Sequence, residues 1–198
     1  MDFFLSVSTT GIIMGIIYAL MALGLTLIYS ILGIVNFAHG EFYMMGGYAS
    51  YLILSAVSGV HPLLIVPLAG LVGALFGLLF ELLFLRPIHQ DRIDRPDEYA
   101  ILVTFGLSFF LINLTLAVVG PYPHRPDSFF RGTVDVLGLV NVGADRLTAG
   151  GLSLLLLGGL LLIINKTWIG KALRAVSQDK QAAAVVGIDS LRMNSIAF

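Results

Sequence analysis

Asn36, His39, Gly40 and Glu41 are the residues best placed to do chemistry, because they stand at the end of and just after a run, Phe3 to Ala38, that holds no Asp, Glu, Lys, Arg or His. An ionisable group this close to a membrane core marks a functional position by default, as part of a path for a polar solute. Catalysis asks for more. The chain has no Cys, no Ser-His-Asp set stands out, and one His with one Glu lacks the third ligand a metal site needs. The spacing leaves two readings open: a turn at the membrane edge where His39 and Glu41 reach water, or a break in a helix beside a translocation path. The segment that follows, FYMMGGYASYLILSAV, is short and interrupted by Gly46 and Gly47, and such segments are where backbone unwinds beside a pathway. Thr104, Ser108 and Thr115 fall on about one face of a later apolar segment, with Asn113 nearby. They either line the same path or act as interhelical hydrogen-bond partners worth about 1 kcal/mol or less each.

A second polar stretch, GKALRAVSQDKQAAAVVGIDSLR at Gly170 to Arg192, lies between apolar segments. Leu173, Val176, Ala183 and Gly187 fall near one helical face, and Lys171, Arg174, Gln178 and Gln181 follow at three- and four-residue steps on another. Ala182, Ala183 and Ala184 leave a bare surface for close approach. Gly187 can end a helix in the left-handed conformation, and Asp189 or Ser190 can cap the next. This predicts a short helix, a tight turn and a new helix, either gripped from outside the membrane or simply solvated. Elsewhere, Glu81 reads as a snorkelling charge at the end of its span, within reach of Arg86. NKT at Asn165 to Thr167 lacks the preceding glycines of a phosphate-binding loop, so no ATPase site is visible.

The elements that must position these residues follow from composition. Of the 198 residues 58% are hydrophobic and 12% charged, which places the chain in a bilayer as an all-α integral membrane protein. The net charge of -1 gives no reason to expect nucleic acid, and without Cys there are no disulfides. MDFFLSVSTT has no basic n-region and is not read as a cleaved signal peptide. Apolar length predicts spans at about 9–32, 34–57, 63–85, 99–119 and 147–164 within one transmembrane domain covering 1–198. Gly73 and Gly77 form a GxxxG pair suited to close helix contact. Arg86, Arg92, Arg95, Lys166, Lys171, Arg174, Lys180 and Arg192 outnumber Arg125, Arg131 and Arg146 on the other side. The positive-inside rule then puts the 170–192 stretch in the cytoplasm and the 121–146 loop outside. MNSIAF at the end begins another apolar segment, so the sequence is expected to continue.

GLTLIYSILGIVNFAHGEFYMMGGYASY at Gly24 to Tyr51 closely resembles the opening of LivH-like permease subunits of branched-chain amino acid ABC transporters. GKALRAVSQDKQAAAVVGID is similar to their cytoplasmic coupling segment. The family motif Glu-Ala-Ala, three residues, Gly is matched by Gln181, Ala182, Ala183 and Gly187, with Gln181 departing from the Glu; the position of a later motif Ile holds Ala197. The resemblance implies a multi-span permease bundle with a cytoplasmic coupling helix, in the inner membrane of a prokaryote. It implies docking of nucleotide-binding ATPase subunits at Arg174, Gln181, Ala182, Ala183 and Gly187, and a path past Asn36, His39, Glu41, Thr104 and Ser108. It further implies a second permease subunit, a periplasmic substrate-binding protein, hydrophobic amino acids as cargo, and ATP used by the partner rather than a cofactor held here. Related permeases for urea and short amides share this sequence style. An intramembrane enzyme using His39 and Glu41, or a channel or secondary transporter without a motor, are the rival readings.

Overall fold

The computed structural model describes residues 2–56, 62–89, 93–122, 132–136 and 140–198. Helix α1, Asp2–Leu32, has 31 residues and is about 46 Å long at 1.5 Å per residue, more than the roughly 30 Å of hydrocarbon. It stops at Gly33, whose φ of 77° is open to glycine without a Cβ penalty. The carbonyl of Leu32, left without a helical partner, accepts from Lys180 Nζ at 3.5 Å, a cation at a helix C-terminus.

The chain is then non-helical until α2, His39–Ala56. The span expected from residue 34 therefore starts five residues later. Nor do Gly46 and Gly47 interrupt it: both sit in unbroken helix. A helix is the only way for an isolated segment to satisfy its own backbone in lipid, so exposed glycines there stay helical.

Helix α3, Pro62–Phe80, leads into one π-helical turn, Glu81–Leu85, and then α4, Arg86–His89. The span expected to end at Leu85 thus continues through Arg86 and Pro87. Pro87 has no N–H for the ladder, but here it stands in the first turn of α4, after a widened turn closed by the Arg86 N–H on the Glu81 carbonyl. Helix α5, Pro96–Val118, begins on a proline with Asp97 and Glu98 in its first turn, all features of a helix start.

The connection expected over 121–146 holds an antiparallel hairpin, β1 (Thr133–Val136) and β2 (Val140–Gly143), with Val134 opposite Val142. Helix α6, Ala144–Lys166, takes Arg146 into its first turn. Three short helices follow: α7 (Trp168–Gln178), α8 (Lys180–Val185) and α9 (Ser190–Ala197).

Among the described residues four helical stretches are long and apolar enough to cross a membrane: Phe3–Leu32, Leu64–Ile88, Pro96–Val118 and Ala144–Lys166. Helix α2, with His39 and Glu41 at its start, is the more polar fifth element. Large apolar side chains such as Leu102, Phe110, Leu155 and Leu162 face outward, as they must where the solvent is lipid. These features make the chain a multi-pass membrane protein.

The larger core lies at one end. Ile31, Leu32, Ile34, Leu85, Ile88 and Ala100 meet Ala172, Leu173, Val176 and Ala183 there. At the other end Val142 of the hairpin packs on Ile13 of α1, with Leu147 alongside. Helices α1 and α6 approach closely at Gly150, where an added Cβ would lie 2.9 Å from Ile13 Cγ2. Gly73 and Gly77, expected to do this work, line a cavity instead.

Arg86, Arg95, Lys166, Lys171, Arg174, Lys180 and Arg192 gather at the large-core end, and Arg146 lies at the hairpin end. Arg92, Arg125 and Arg131 lie outside the described residues, as do residues 58–61 of SGVHP, Ser58 to Pro62, a sequence that predicts a turn. A cysteine at Gln181, which is exposed on α8, and one at Val134 of the hairpin are expected to label from opposite faces of the membrane. Labelling of both by an impermeant reagent from one side would overturn this arrangement.

Candidate functional site

The polar cluster lies beside the middle of the long helices rather than at their ends. His39 Nε2 donates to the carbonyl of Met21 at 3.2 Å. Met21 lies eleven residues before the end of α1, about 16 Å back along its axis. After Gly33 the backbone thus doubles back beside α1 as a non-helical segment of bends and turns, and α2 starts part-way along the spans. From the opposite side of α2, Glu41 Oε1 accepts from Ser108 Oγ at 2.7 Å. Ser108 is twelve residues into α5, about 18 Å from its start. Two independent contacts place the break at one level, near the middle of the spans.

Irregular backbone at this depth is tolerated where it is buried in protein or lines a cavity. Both conditions hold. Asn36 is buried, and its Oδ1 accepts from the Ala38 N–H at 3.0 Å, fixing the turn that starts α2. Asn36, His39 and Phe42 line a cavity of about 200 Å³ with Gly73, Ala74 and Gly77 of α3. The Asn36 Nδ2 and Glu41 Oε2 atoms are buried without a hydrogen-bond partner among the described residues. Buried polar atoms are nearly always paired, so a donor and an acceptor left free in one short segment suit a site that meets a polar solute.

The residues expected to line a path divide accordingly. Glu41 and Ser108 are joined to each other, and Asn36 and His39 share the cavity. Thr104 is fully buried but spends its hydroxyl on the Ala100 carbonyl at 2.8 Å, so it closes α5 on itself. Asn113 likewise bonds the Phe109 carbonyl and is exposed. Among the described residues no three His, Asp or Glu side chains come together as a metal group requires.

The second region is built from α7 to α9. Thr167 caps α7, accepting from the Gly170 N–H at 3.2 Å. Ala172, Leu173 and Val176 are buried, while Lys171 and Arg174 face outward; Arg174 Nη1 donates to Asn165 Oδ1 at 3.0 Å. The single helix expected from Leu173 to Gly187 is broken at Asp179. That residue is extended, with φ of −155°, and its carboxylate caps α8 through the Gln181 and Ala182 N–H groups at 2.8 and 3.0 Å.

The expected turn is present at Gly187, with φ of 84°. Gly187 N–H donates to the Ala184 carbonyl and Ile188 N–H to the Ala183 carbonyl, each at 3.0 Å, the pairing of a Schellman stop. Asp189 caps α9 through the Arg192 N–H at 3.2 Å. Ala183, expected on a bare outer surface, instead packs inward with Ile188 against the core, because the break at Asp179 and the stop at Gly187 fix the rotation of this short helix. Gln181, Ala182 and Ala184 are the exposed members.

Val185 and Val186, 87% and 74% exposed, are the apolar tip of this surface and were not singled out by helical spacing. Their signal is two adjacent valines directly before the helix-ending glycine in an otherwise polar stretch. Glu81, expected as a snorkelling charge, does not reach water. It is 1% exposed and bonded to Ser195, with no ion pair to Arg86, and its signal is a lone charge within LLFELLFL.

A family model described as the permease component of the branched-chain amino acid transport system matches residues 8–198. The chain is 30% identical to the high-affinity branched-chain amino acid transport system permease protein LivH of Salmonella typhimurium, over 99% of its own length and 66% of LivH. It is 29% identical to the corresponding permease protein BraD of Pseudomonas aeruginosa, over 95% of this chain and 64% of BraD. With a probable LivH of Methanocaldococcus jannaschii it shares 32% over 90% of this chain and 56% of that protein. The chain therefore spans between 56% and 66% of the length of these relatives. No solved structure matches it. With the family model covering nearly every residue, from before the helix break to beyond the Gly187 turn, the chain belongs to the branched-chain amino acid transport permease family.

Proposed function

We propose that this chain is the membrane-spanning permease part of an ATP-driven importer that carries branched-chain amino acids across the cytoplasmic membrane of a prokaryote. The observation that carries this reading is the α8 turn: Ala183 anchors it to the core while Val185 and Val186 are presented to solvent at the Lys- and Arg-rich end. An apolar tip on a polar, capped turn suits the pocket of a soluble partner. That partner is a pair of cytoplasmic ATPase subunits, contacted by Arg174, Gln181, Ala182, the two valines and the Gly187 turn. A second permease subunit completes the pathway, and a periplasmic binding protein delivers cargo.

The mechanism is alternating access. ATP binding draws the motor subunits together, and α7 to α9 pass that motion to the spans as a rigid-body shift. Around the break, Asn36 Nδ2 offers a donor to a carboxylate on the cavity side of α2, and the free Glu41 oxygen offers an acceptor to an amino group at a separate point, on the side toward Ser108. The neighbouring cavity, lined by Ile28 and Phe42, suits an apolar side chain. These contacts need only guide the solute, since affinity resides in the external binding protein.

The test is uptake by the full-length permease assembled with its ATPase in proteoliposomes, offered leucine, urea or a short amide. ATP-dependent uptake of leucine alone is expected. Preference for urea or the amide would move the substrate class, and ATP-independent uptake would favour a channel. Glu41→Ala removes the acceptor and strips Ser108 of its partner. Leucine uptake is expected to fall about tenfold or more, with the complex still assembled, as for loss of a charged hydrogen bond. Normal uptake would show that the break is structural only.

A further inference from the structure

Glu81 is the most deeply buried ionisable side chain among the described residues, at 1% exposure. It opens the π turn between α3 and α4, where Arg86 N–H reaches back five residues to the Glu81 carbonyl. Widened turns of this kind concentrate at functional positions, because they hold a helix one residue out of register. Among the described residues no cation lies within ion-pair distance of it. Its partner is Ser195 on α9, with Oγ to Oε2 at 2.8 Å across 114 residues of sequence.

Ser195 has a second acceptor. Its Oγ also lies 3.2 Å from the Leu191 carbonyl, one turn back in its own helix. A hydroxyl carries one hydrogen, so it serves the span or its own helix, and local back-bonding is always available to a helical serine. Beside it Asn194 is 1% exposed, and its Oδ1 has no hydrogen-bond partner among the described residues. The contact between α9 and α3 thus sets a single polar bond, with a competing acceptor of its own, beside the apolar packing of Phe198 on Phe80.

On the α3 side the contact lies one turn from the cavity. Gly77, four residues before Glu81, lines the cavity with Asn36 and His39. Phe80 stacks on Phe84 at 5.2 Å and meets Phe42 and Phe198 at 6.4 and 6.0 Å. If the π turn straightened to α, α3 would turn by about 100° and advance about 1.5 Å relative to α4. That movement displaces one wall of the cavity.

We propose that the Glu81–Ser195 hydrogen bond is the latch between the α8–α9 turn and the third span: made in this state, it holds the π turn of α3, and released in the alternate state, it lets α3 shift while the Ser195 hydroxyl returns to Leu191. Glu81 and Ser195 are positioning residues that act on the path through α3. The inference deepens the importer reading and rests on it.

The experiment measures leucine moved per ATP hydrolysed by the full-length permease assembled with its ATPase and binding protein in proteoliposomes. Ser195→Ala is expected to retain the ATPase subunits and hydrolysis but to lower transport per ATP about tenfold, within the range that coupling mutations span. Ser195→Thr keeps the hydroxyl and is expected to restore the ratio, as is Glu81→Gln, which keeps a carbonyl oxygen as acceptor. Glu81→Leu should match Ser195→Ala, and the double variant should be no worse than either single one, because both remove one interaction. Unchanged transport per ATP in Ser195→Ala, or no rescue by Ser195→Thr, overturns the latch. Failure of the unsubstituted permease to hold an ATPase at all would defeat the importer reading instead, so the two failures are separable.

Discussion

Val186→Asp is expected to remove the ATPase subunit from the permease and with it all transport. Val186 is 74% exposed and Val185 87%, so neither contributes to the fold of this chain, and a surface substitution of this kind costs the permease itself about 0.5 kcal/mol or less. In a partner's pocket the same side chain acts as an anchor. Burying an unpaired carboxylate there, or losing the contact, costs about 2 kcal/mol or more, a drop of roughly 30-fold in affinity. Gly187→Val should give a similar loss by another route, because φ of 84° is a genuine outlier for a β-branched residue. The Schellman stop would be lost and the tip re-aimed. Ala183→Trp reads differently: Ala183 is buried against this chain's own core, so a large side chain there tests packing rather than docking. The measurement is pull-down of the ATPase by full-length Val186→Asp and Gly187→Val permeases inserted at normal levels. Undiminished association in both would reduce the turn to a solvated loop.

Gly170→Ala is expected to be the most damaging single-methyl change in the described residues. A Cβ at Gly170 would fall on the backbone carbonyls of Ile163 and Ile164, where α6 ends and α7 turns away. A flexible side chain can yield to such an intrusion. Backbone oxygens inside a helix cannot, and overpacking at a rigid site costs about 3 kcal/mol. The cost goes to the junction that lays α7 across the base of α1, so Leu173 and Val176 would lift from the core. The check is thermal melting and protease resistance of the purified permease, with Gly158→Ala as control. Gly158 has open space where its Cβ would stand, and a mid-helix Gly to Ala change there is favourable by intrinsic propensity. Equal melting of the two variants would show that the junction relaxes freely.

Apolar length and residue chemistry alone determined the membrane class, the long helices and the left-handed stop at Gly187. These are local matters: about 20 apolar residues demand a self-satisfied backbone, and a glycine between helical segments is free to take positive φ. The polar residues near Asn36 were equally legible, but their depth was not. Only the return of the chain after Gly33, seen in the His39 contact to Met21, places them beside the middle of the long helices rather than at their ends. Tertiary structure also decided which polar residues meet. Glu41 finds Ser108 67 residues away and Glu81 finds Ser195 114 away, while Thr104, on the same face of α5 as Ser108, turns back to its own helix. Periodicity drew Leu173, Val176 and Ala183 onto one face, and all three are indeed buried, yet on two helices with a break at Asp179 between them. Spacing gives the relative angle of side chains around one axis. Which of those angles faces the chain's own core, and which is left for a partner, depends on where the other helices stand.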